Sequence, residues 1–237
     1  MADFLLIHGS GHGAWAWRDV IPCLEALGHT ARAIDLPGHG DDRTSLEAVR
    51  LETYRDAVLS ALGDRSVLVG HSMGGYPVTA AAEAAPDRVA ALVYLCAYVP
   101  RPGMALADMR RAGPSQPLAP AIRRAKDGMS FTFEPAMARD LFYHDCPDEA
   151  VAFATKRLCR QPTLPQETPL DATGRAATLP RHYIICEEDR AIPPDYQETM
   201  SHGFDPACVH RLPTSHSPFF AAPDRLARLL NDIAETT

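Results

Sequence analysis

The sequence predicts an α/β fold in which a mostly parallel sheet of about six strands is flanked by helices and carries an inserted helical lid. Over residues 1–100, short apolar runs alternate with helical stretches, which is the pattern of parallel strands joined by helices. The alternation stops between residues 101 and 180 and then resumes. The length of 237 residues suits one large domain, or one domain with an insertion.

The first strand is predicted from the apolar run at residues 4–7, which ends in a Gly-rich turn as buried parallel strands often do. Further apolar runs predict strands at residues 30–35, 67–69 and 89–97. Helical stretches are expected between them at residues 15–27, 45–62 and 76–85. Gly28 ends the first of these helices. After residue 180 we expect a strand at 182–186, a helix at 194–202, a strand at 208–212 and a helix at 223–234.

Residues 101–180 differ in composition from the rest of the chain. They hold ten of the 21 prolines, and eleven basic against nine acidic residues in a chain whose net charge is −7. We therefore expect an inserted lid of short helices over residues 101–180, on a core formed by residues 1–100 and 181–237. Apolar residues recur at helical spacing in its two best helices, at residues 135–143 and 148–158.

Composition and charge argue against several classes of partner. The net charge of −7 opposes binding to nucleic acid or to anionic membranes. No apolar run approaches the roughly 18 residues that span a bilayer, and the N-terminus lacks the basic region and cleavage site of a signal peptide. A cytoplasmic protein without membrane insertion is expected. Six scattered cysteines without a CxxC pair, and ten histidines without HExxH spacing, predict reduced thiols and no metal site.

A candidate nucleophile lies in the segment Gly70-His71-Ser72-Met73-Gly74, which matches the pattern G-x-S-x-G. The pattern alone is common. Here it directly follows an apolar strand and precedes an Ala-rich helix, which is the context of a strained turn that exposes a serine. The helix N-terminus behind Ser72 would favour developing negative charge.

A serine nucleophile needs a general base, and the base needs an orienting acid. His216 is the favoured base because it lies in a loop between the last short strand and the last helix, whereas His202 and His210 fall in a helix end and a strand. Three consecutive acids, Glu187, Glu188 and Asp189, follow the preceding strand. Asp189 is favoured, with Glu188 as its main rival.

Acyl transfer also needs two backbone donors for the oxyanion of the tetrahedral intermediate. The amide of Met73, directly after the nucleophile, is one candidate. The amide of Ser10, in the Gly-rich turn after the first strand, is the other. Gly9 would let the backbone of that turn approach a substrate closely.

With these residues in place, the chain resembles the α/β-hydrolase superfamily, and more narrowly the plant methylesterase and hydroxynitrile lyase family with its bacterial esterase relatives. The resemblance covers nearly the whole chain. It rests on the elbow at Ser72 and on residues 7–15 (IHGSGHGAW), 35–40 (DLPGHG), 146–149 (CPDE), 160–162 (RQP) and 186–193 (CEEDRAIP). It implies the α/β-hydrolase fold, places Asp189 at the acid position and suggests a homodimer.

Two chemistries compete within that family. The lyases carry a threonine at the position of Gly9 and a lysine directly after the catalytic histidine, where this chain has Ser217. Both departures favour ester hydrolysis over cyanohydrin cleavage. The sequence therefore predicts a serine esterase acting on a small-molecule ester through Ser72, His216 and Asp189, without a cofactor or metal. A carbon–carbon hydrolase, a hydroxynitrile-type lyase and a low-turnover small-molecule binding protein remain as alternatives.

The lid and the loops near the catalytic residues are expected to shape an apolar substrate pocket. Phe131 in the lid and Phe219 after the catalytic loop are the aromatic candidates for its lining. His12, in the first loop, is expected either to line the site or to be a hydrogen-bonded structural histidine.

Overall fold

The computed structural model describes all of residues 1–237. Its main sheet has six strands, all parallel, in the order β2-β1-β3-β4-β8-β9. These strands are β1 (Asp3–Ile7), β2 (Thr30–Ile34), β3 (Ser66–His71), β4 (Val89–Leu95), β8 (Arg181–Cys186) and β9 (Val209–Leu212). The predicted sheet is confirmed.

Helices cover both faces of this sheet. The helices are α1 (Val20–Ala26), α2 (Leu51–Ala61), α3 (Gly75–Ala84), α4 (Leu106–Ala112), α5 (Pro135–Phe142), α6 (Asp148–Thr155), α7 (Leu164–Glu167), α8 (Pro194–Ser201), α9 (Pro218–Ala221) and α10 (Pro223–Glu235). None of them combines the length and the apolarity that crossing a membrane requires.

Side chains of β1 alternate between two apolar layers, as the period of a strand requires. Phe4 and Leu6 pack in the layer that contains α1 and α10, whereas Leu5 and Ile7 pack in the layer that contains α2 and α3. Both faces of the sheet are therefore buried, which explains why the strands are continuous apolar runs.

Two predicted helices are interrupted. The stretch at residues 15–27 is a 3-10 helix (Ala14–Trp17) followed by α1, and Pro22 lies in the first turn of α1, where proline is tolerated. The stretch at residues 45–62 is likewise divided between a 3-10 helix (Leu46–Ala48) and α2. The Thr53 hydroxyl accepts a hydrogen bond from the Arg50 amide (2.9 Å), which caps the start of α2.

The stretch between β4 and β8 contains more than the short helices expected there. It also holds a three-stranded antiparallel sheet, which consists of β5 (Ile122–Arg124), β6 (Ser130–Phe133) and β7 (Gln161–Pro162). These strands have two to four residues each, and β7 pairs with β6 across α5 and α6. Such short strands, held by distant pairing, leave no periodic signal in the sequence.

Candidate active site

Ser72 follows the end of β3 in a strained turn. Its φ of +53° lies in the left-handed region, which costs a non-glycine residue about 1–3 kcal/mol. A Cβ atom on Gly70 would lie 2.6 Å from the carbonyl oxygen of Gly74, and one on Gly74 would lie 2.8 Å from the carbonyl oxygen of Ile7. Only glycine fits at these positions, so the crowded turn predicted from G-x-S-x-G is present.

His216 lies in the loop between β9 and α9 and is 2% exposed. Its Nδ1 is 2.7 Å from Oδ2 of Asp189. Because a carboxylate only accepts, Nδ1 donates this hydrogen bond, which leaves Nε2 unprotonated and able to act as a base. Of the three candidate acids, Asp189 is buried and contacts His216, whereas Glu187 and Glu188 are exposed.

Four hydrogen bonds hold the Asp189 carboxylate in place. Besides His216, the amides of Ala191 and Ile192 donate to Oδ1 (2.7 and 2.9 Å), and Nε2 of Gln197 donates to Oδ2 (2.9 Å). Every partner is a donor, as an ionised carboxylate requires. Gln197, on α8, was not found from the sequence, since no motif marks a glutamine that acts through tertiary contact.

One narrow cleft brings Ser72 and His216 together, with about 380 Å³ of space not filled by atoms. Their side chains are not hydrogen-bonded in this structure, and such bonds commonly tighten only when substrate is bound. The cleft is lined by Ser10, His12, His71, Ser72, Tyr98, Leu106, Arg110, Leu118, Phe133, Phe142, Gln166 and His216.

The two predicted oxyanion donors lie on turns beside Ser72. Met73 directly follows Ser72 and is buried, and Ser10 lines the cleft. Nε2 of Gln166, on α7, donates to the Ser10 hydroxyl (2.7 Å), and the Gly11 amide donates to Oε1 of Gln161 (3.1 Å). Contacts from the stretch between β4 and β8 therefore fix the turn that carries the Ser10 amide.

Gly9 has a different environment from the one expected. A Cβ atom at this position would lie 2.7 Å from Nδ1 of His71 and 3.0 Å from Cβ of Ser72. Gly9 is therefore packed against the nucleophile turn, and it is not among the residues that line the cleft. The space that a side chain would need is taken by His71, which sequence spacing cannot reveal.

His12 lines the cleft, but both of its ring nitrogens have partners within the protein. Nδ1 is 2.8 Å from the Ser10 carbonyl oxygen, and Nε2 is 2.6 Å from the Tyr143 hydroxyl. Nδ1 therefore donates, and Nε2 accepts from Tyr143. Burial lowers the pKa of His12 to about 4, so the ring is neutral at neutral pH.

We expect the free energy of unfolding to fall between pH 7 and pH 5. The pKa of His12 is 6.5 in the unfolded chain and about 4 when folded. The stability that depends on a neutral His12 is therefore fully present above pH 6.5 and is lost as the pH falls toward 4. At pH 5 the loss from His12 alone is about 2 kcal/mol. Burial also lowers the pKa of His8, His39 and His71, which adds to the same trend.

Urea unfolding at the two pH values measures this loss. His12→Gln should reduce the difference between pH 7 and pH 5 by about 2 kcal/mol. Replacing the exposed His202 by glutamine should leave the difference unchanged. Equal differences in all three proteins would show that His12 does not titrate as a buried neutral group.

The structure places the two predicted pocket aromatics in the core. Phe131 packs edge-on against Phe133, with 5.6 Å between ring centres, and Phe133 is the residue that reaches the cleft. Phe219 is fully buried against His71 (5.0 Å) and Trp17 (5.5 Å). Both therefore support the residues that line the cleft and are not themselves part of that lining.

His71, Cys96 and His216 offer ligand atoms within 4.8 Å of one another. Nε2 of His71, however, lies 2.8 Å from the His216 carbonyl oxygen and donates to it. Nδ1 of His216 is paired with Asp189. The hydrogen bond from His71 therefore helps to position the backbone of His216. His71 was missed as a site residue because its position in G-x-S-x-G accepts any residue.

The chain is similar to known proteins over nearly its whole length. The chain is 33% identical to the pyrethroid hydrolase of Sphingobium wenxiniae, over 99% of this chain and 88% of that protein. It is 31% identical to methylesterase 4 of Arabidopsis thaliana, over 98% and 95% respectively. The crystal structure of a pyrethroid hydrolase from Sphingobium faniae matches with a TM-score of 0.89 at 32% identity, over 99% of this chain and 97% of that one. The sequence profile of the alpha/beta hydrolase family matches residues 4–229, and the chain belongs to that family.

Proposed function

We propose that this protein hydrolyses small carboxylic esters by acyl transfer, with Ser72 as the nucleophile, His216 as the general base and Asp189 as the orienting acid. The observation that carries the proposal is that His216, whose Nδ1 lies 2.7 Å from Oδ2 of Asp189, lines the same cleft as Ser72. The relatives named as a pyrethroid hydrolase and a methylesterase support ester hydrolysis over other reactions on this fold.

In this mechanism, Nε2 of His216 takes the proton of the Ser72 hydroxyl as Oγ attacks the ester carbonyl carbon. The amides of Ser10 and Met73 stabilise the oxyanion. The carbon–oxygen bond to the alcohol then breaks, and His216 returns the proton to the leaving alkoxide. Water repeats the sequence on the acyl-enzyme, which releases the carboxylic acid and restores Ser72. Asp189 holds the reactive tautomer of His216 throughout.

The lining of the cleft favours compact substrates. Leu106, Leu118, Phe133 and Phe142 give the side of the cleft formed between β4 and β8 an apolar surface. An apolar surface of this kind suits short acyl or small aryl groups. The position after His216 is occupied by Ser217, which is fully buried and carries no charge. The position at which the lyases carry a lysine therefore has no cation to stabilise a leaving cyanide, which argues against lyase activity.

Four substrates test the proposal: p-nitrophenyl acetate, p-nitrophenyl octanoate, methyl salicylate and mandelonitrile. We expect turnover of the esters, with acetate preferred to octanoate because the cleft is narrow, and no release of cyanide. Cleavage of mandelonitrile alone would overturn the proposed reaction. Tight binding of the esters without turnover would indicate a binding protein.

A further inference from the structure

A cationic side chain lines the cleft that holds the candidate nucleophile. Arg110, on α4, is half-buried and contributes to the lining together with Ser72 and His216. Tyr98, which follows β4, and Leu106, on α4, also line the cleft. Arg110 is the only lining residue with a permanently charged side chain, and it has no part in the acyl-transfer steps, so its presence needs another explanation.

The guanidinium of Arg110 has no ion-pair or hydrogen-bond partner in the protein. The nearby acids are already engaged: Asp108 pairs with Arg111, and Glu167 pairs with Arg124 at 3.3 Å. Burial lowers the pKa of Arg110, which reflects the cost of holding the charge away from water. Arginine nevertheless stays protonated at neutral pH, so the cleft carries an uncompensated positive charge.

The Tyr98 hydroxyl is the second polar group at this place. Tyr98 follows β4, is 4% exposed and lines the cleft, and its phenol is near enough to Arg110 to interact with it electrostatically. The hydroxyl makes no hydrogen bond to another protein group, whereas the hydroxyls of Tyr76, Tyr183 and Tyr196 each donate to a backbone carbonyl. Two side chains with donors that lack acceptors therefore line the same cleft.

We propose that Arg110 and the Tyr98 hydroxyl form an anion subsite, and that the preferred substrates are esters carrying a free carboxylate, such as monoesters of dicarboxylic acids. The planar guanidinium matches a carboxylate in two parallel hydrogen bonds, and the phenol supplies a third donor. The apolar side chains of the cleft would contact the methylene chain between the two groups. This inference rests on the proposed function and specifies its substrate class.

The reaction itself is unchanged by the added charge. The carbon–oxygen bond of the ester breaks, water supplies the hydroxyl of the new acid and the hydrogen of the alcohol, and one proton is released at neutral pH. The carboxylate on Arg110 takes no part in bond making, and its role is to orient the ester carbonyl toward Ser72.

A matched pair of substrates tests the subsite. Monomethyl adipate and methyl hexanoate share a six-carbon acyl chain and differ in the terminal carboxylate. Hydrolysis of each is followed by acid release at constant pH, for the wild type, Arg110→Met, Arg110→Lys and Arg111→Met. Arg111 is the control, since it lies on the same helix but is exposed and outside the cleft.

For the wild type we expect a higher kcat/KM on monomethyl adipate than on methyl hexanoate. Arg110→Met should lower kcat/KM for monomethyl adipate about 10- to 100-fold, mainly through KM, while methyl hexanoate changes less than about threefold. Arg110→Lys should recover part of the loss, and Tyr98→Phe should cause a smaller loss of the same selective kind. Arg111→Met should resemble the wild type.

Equal losses on both substrates would mean that Arg110 only supports the fold, and a wild type without preference for the charged ester would also overturn the subsite. The proposed function fails separately, if p-nitrophenyl acetate is not hydrolysed. In that event, calorimetric titration with monomethyl adipate still decides the subsite. The subsite is supported if the wild type binds monomethyl adipate and Arg110→Met binds it at least tenfold more weakly. It is overturned if the two proteins bind equally or if the wild type does not bind.

Discussion

Replacing Ser72 by alanine is expected to lower kcat on p-nitrophenyl acetate by about 10⁴- to 10⁶-fold, because the acyl-enzyme cannot form without the hydroxyl. The activity that remains would come from the oxyanion donors and from substrate binding alone. The Ser72 hydroxyl has no hydrogen bond within the protein, and alanine keeps the Cβ atom. We therefore expect Tm to change by no more than a few degrees, so that lost activity reports on chemistry.

Ser60→Ala is the matched control for this change. Ser60 lies on the exposed face of α2, where its hydroxyl donates to the Asp56 carbonyl oxygen (2.8 Å), and it does not line the cleft. It should retain wild-type kcat. If Ser72→Ala kept wild-type turnover, neither the nucleophile nor the acyl-enzyme mechanism would stand.

Asp189→Asn is expected to lower kcat by about 10⁴-fold with little change in KM. In the native protein, Oδ2 of Asp189 accepts from Nδ1 of His216 (2.7 Å), which fixes the tautomer with a free Nε2. An asparagine whose oxygen still accepts from the Ala191 and Ile192 amides would present its NH₂ group to His216. The ring would then have to carry its proton on Nε2 and could not act as the base.

Gln197 makes this substitution more disruptive than a single lost charge. Its Nε2 donates to Oδ2 of Asp189 and to the Ile192 carbonyl, and its Oε1 accepts from the Cys186 amide (3.0 Å). The side-chain amide of Gln197 therefore cannot flip without losing buried hydrogen bonds. The NH₂ group of an asparagine at position 189 would face the NH₂ group of Gln197, and neither can accept a hydrogen bond. We expect a loss of stability of about 1–3 kcal/mol in addition to the loss of turnover.

Glu188→Gln provides the control for Asp189→Asn. Glu188 is the adjacent acid, it is exposed, and it was the main rival from the sequence. Its replacement should leave kcat within about twofold, since surface changes of this kind have small effects. Kinetics on p-nitrophenyl acetate and thermal unfolding of both variants measure the comparison. A larger loss of kcat from Glu188→Gln than from Asp189→Asn would reverse the assignment of the acid.

The predicted features that the structure shows directly, the strained turn at Ser72 and the parallel strands, depend on local geometry. The turn at Ser72 needs glycine at positions 70 and 74, because a Cβ atom on either residue would lie within 3 Å of backbone atoms. This requirement is visible in five consecutive residues of the sequence. The parallel strands likewise appear as continuous apolar runs because both faces of the sheet are buried. His216 was predicted from its place between β9 and α9, which places it beside the carboxyl ends of the strands.

The parts that the sequence did not determine depend on contacts between distant residues. Asp189 differs from Glu188 in burial and in its four donors, and no local pattern distinguishes three consecutive acids. The lining of the cleft was predicted least well. Phe133 lines the cleft, whereas Phe131, two residues earlier on the same face of β6, packs against Phe133 and does not line it.

The sequence by itself thus determined the succession of strands along the chain, the turn at Ser72 and the family to which the chain belongs, since these are encoded in short motifs of neighbouring residues. Only the tertiary structure decided which acid contacts His216 and which side chains line the cleft. It also decided that Arg110 faces the same cleft as Ser72 without a partner. Burial and the pairing of charges are properties of the assembled fold, where residues far apart in the chain compete for the same donors, acceptors and space.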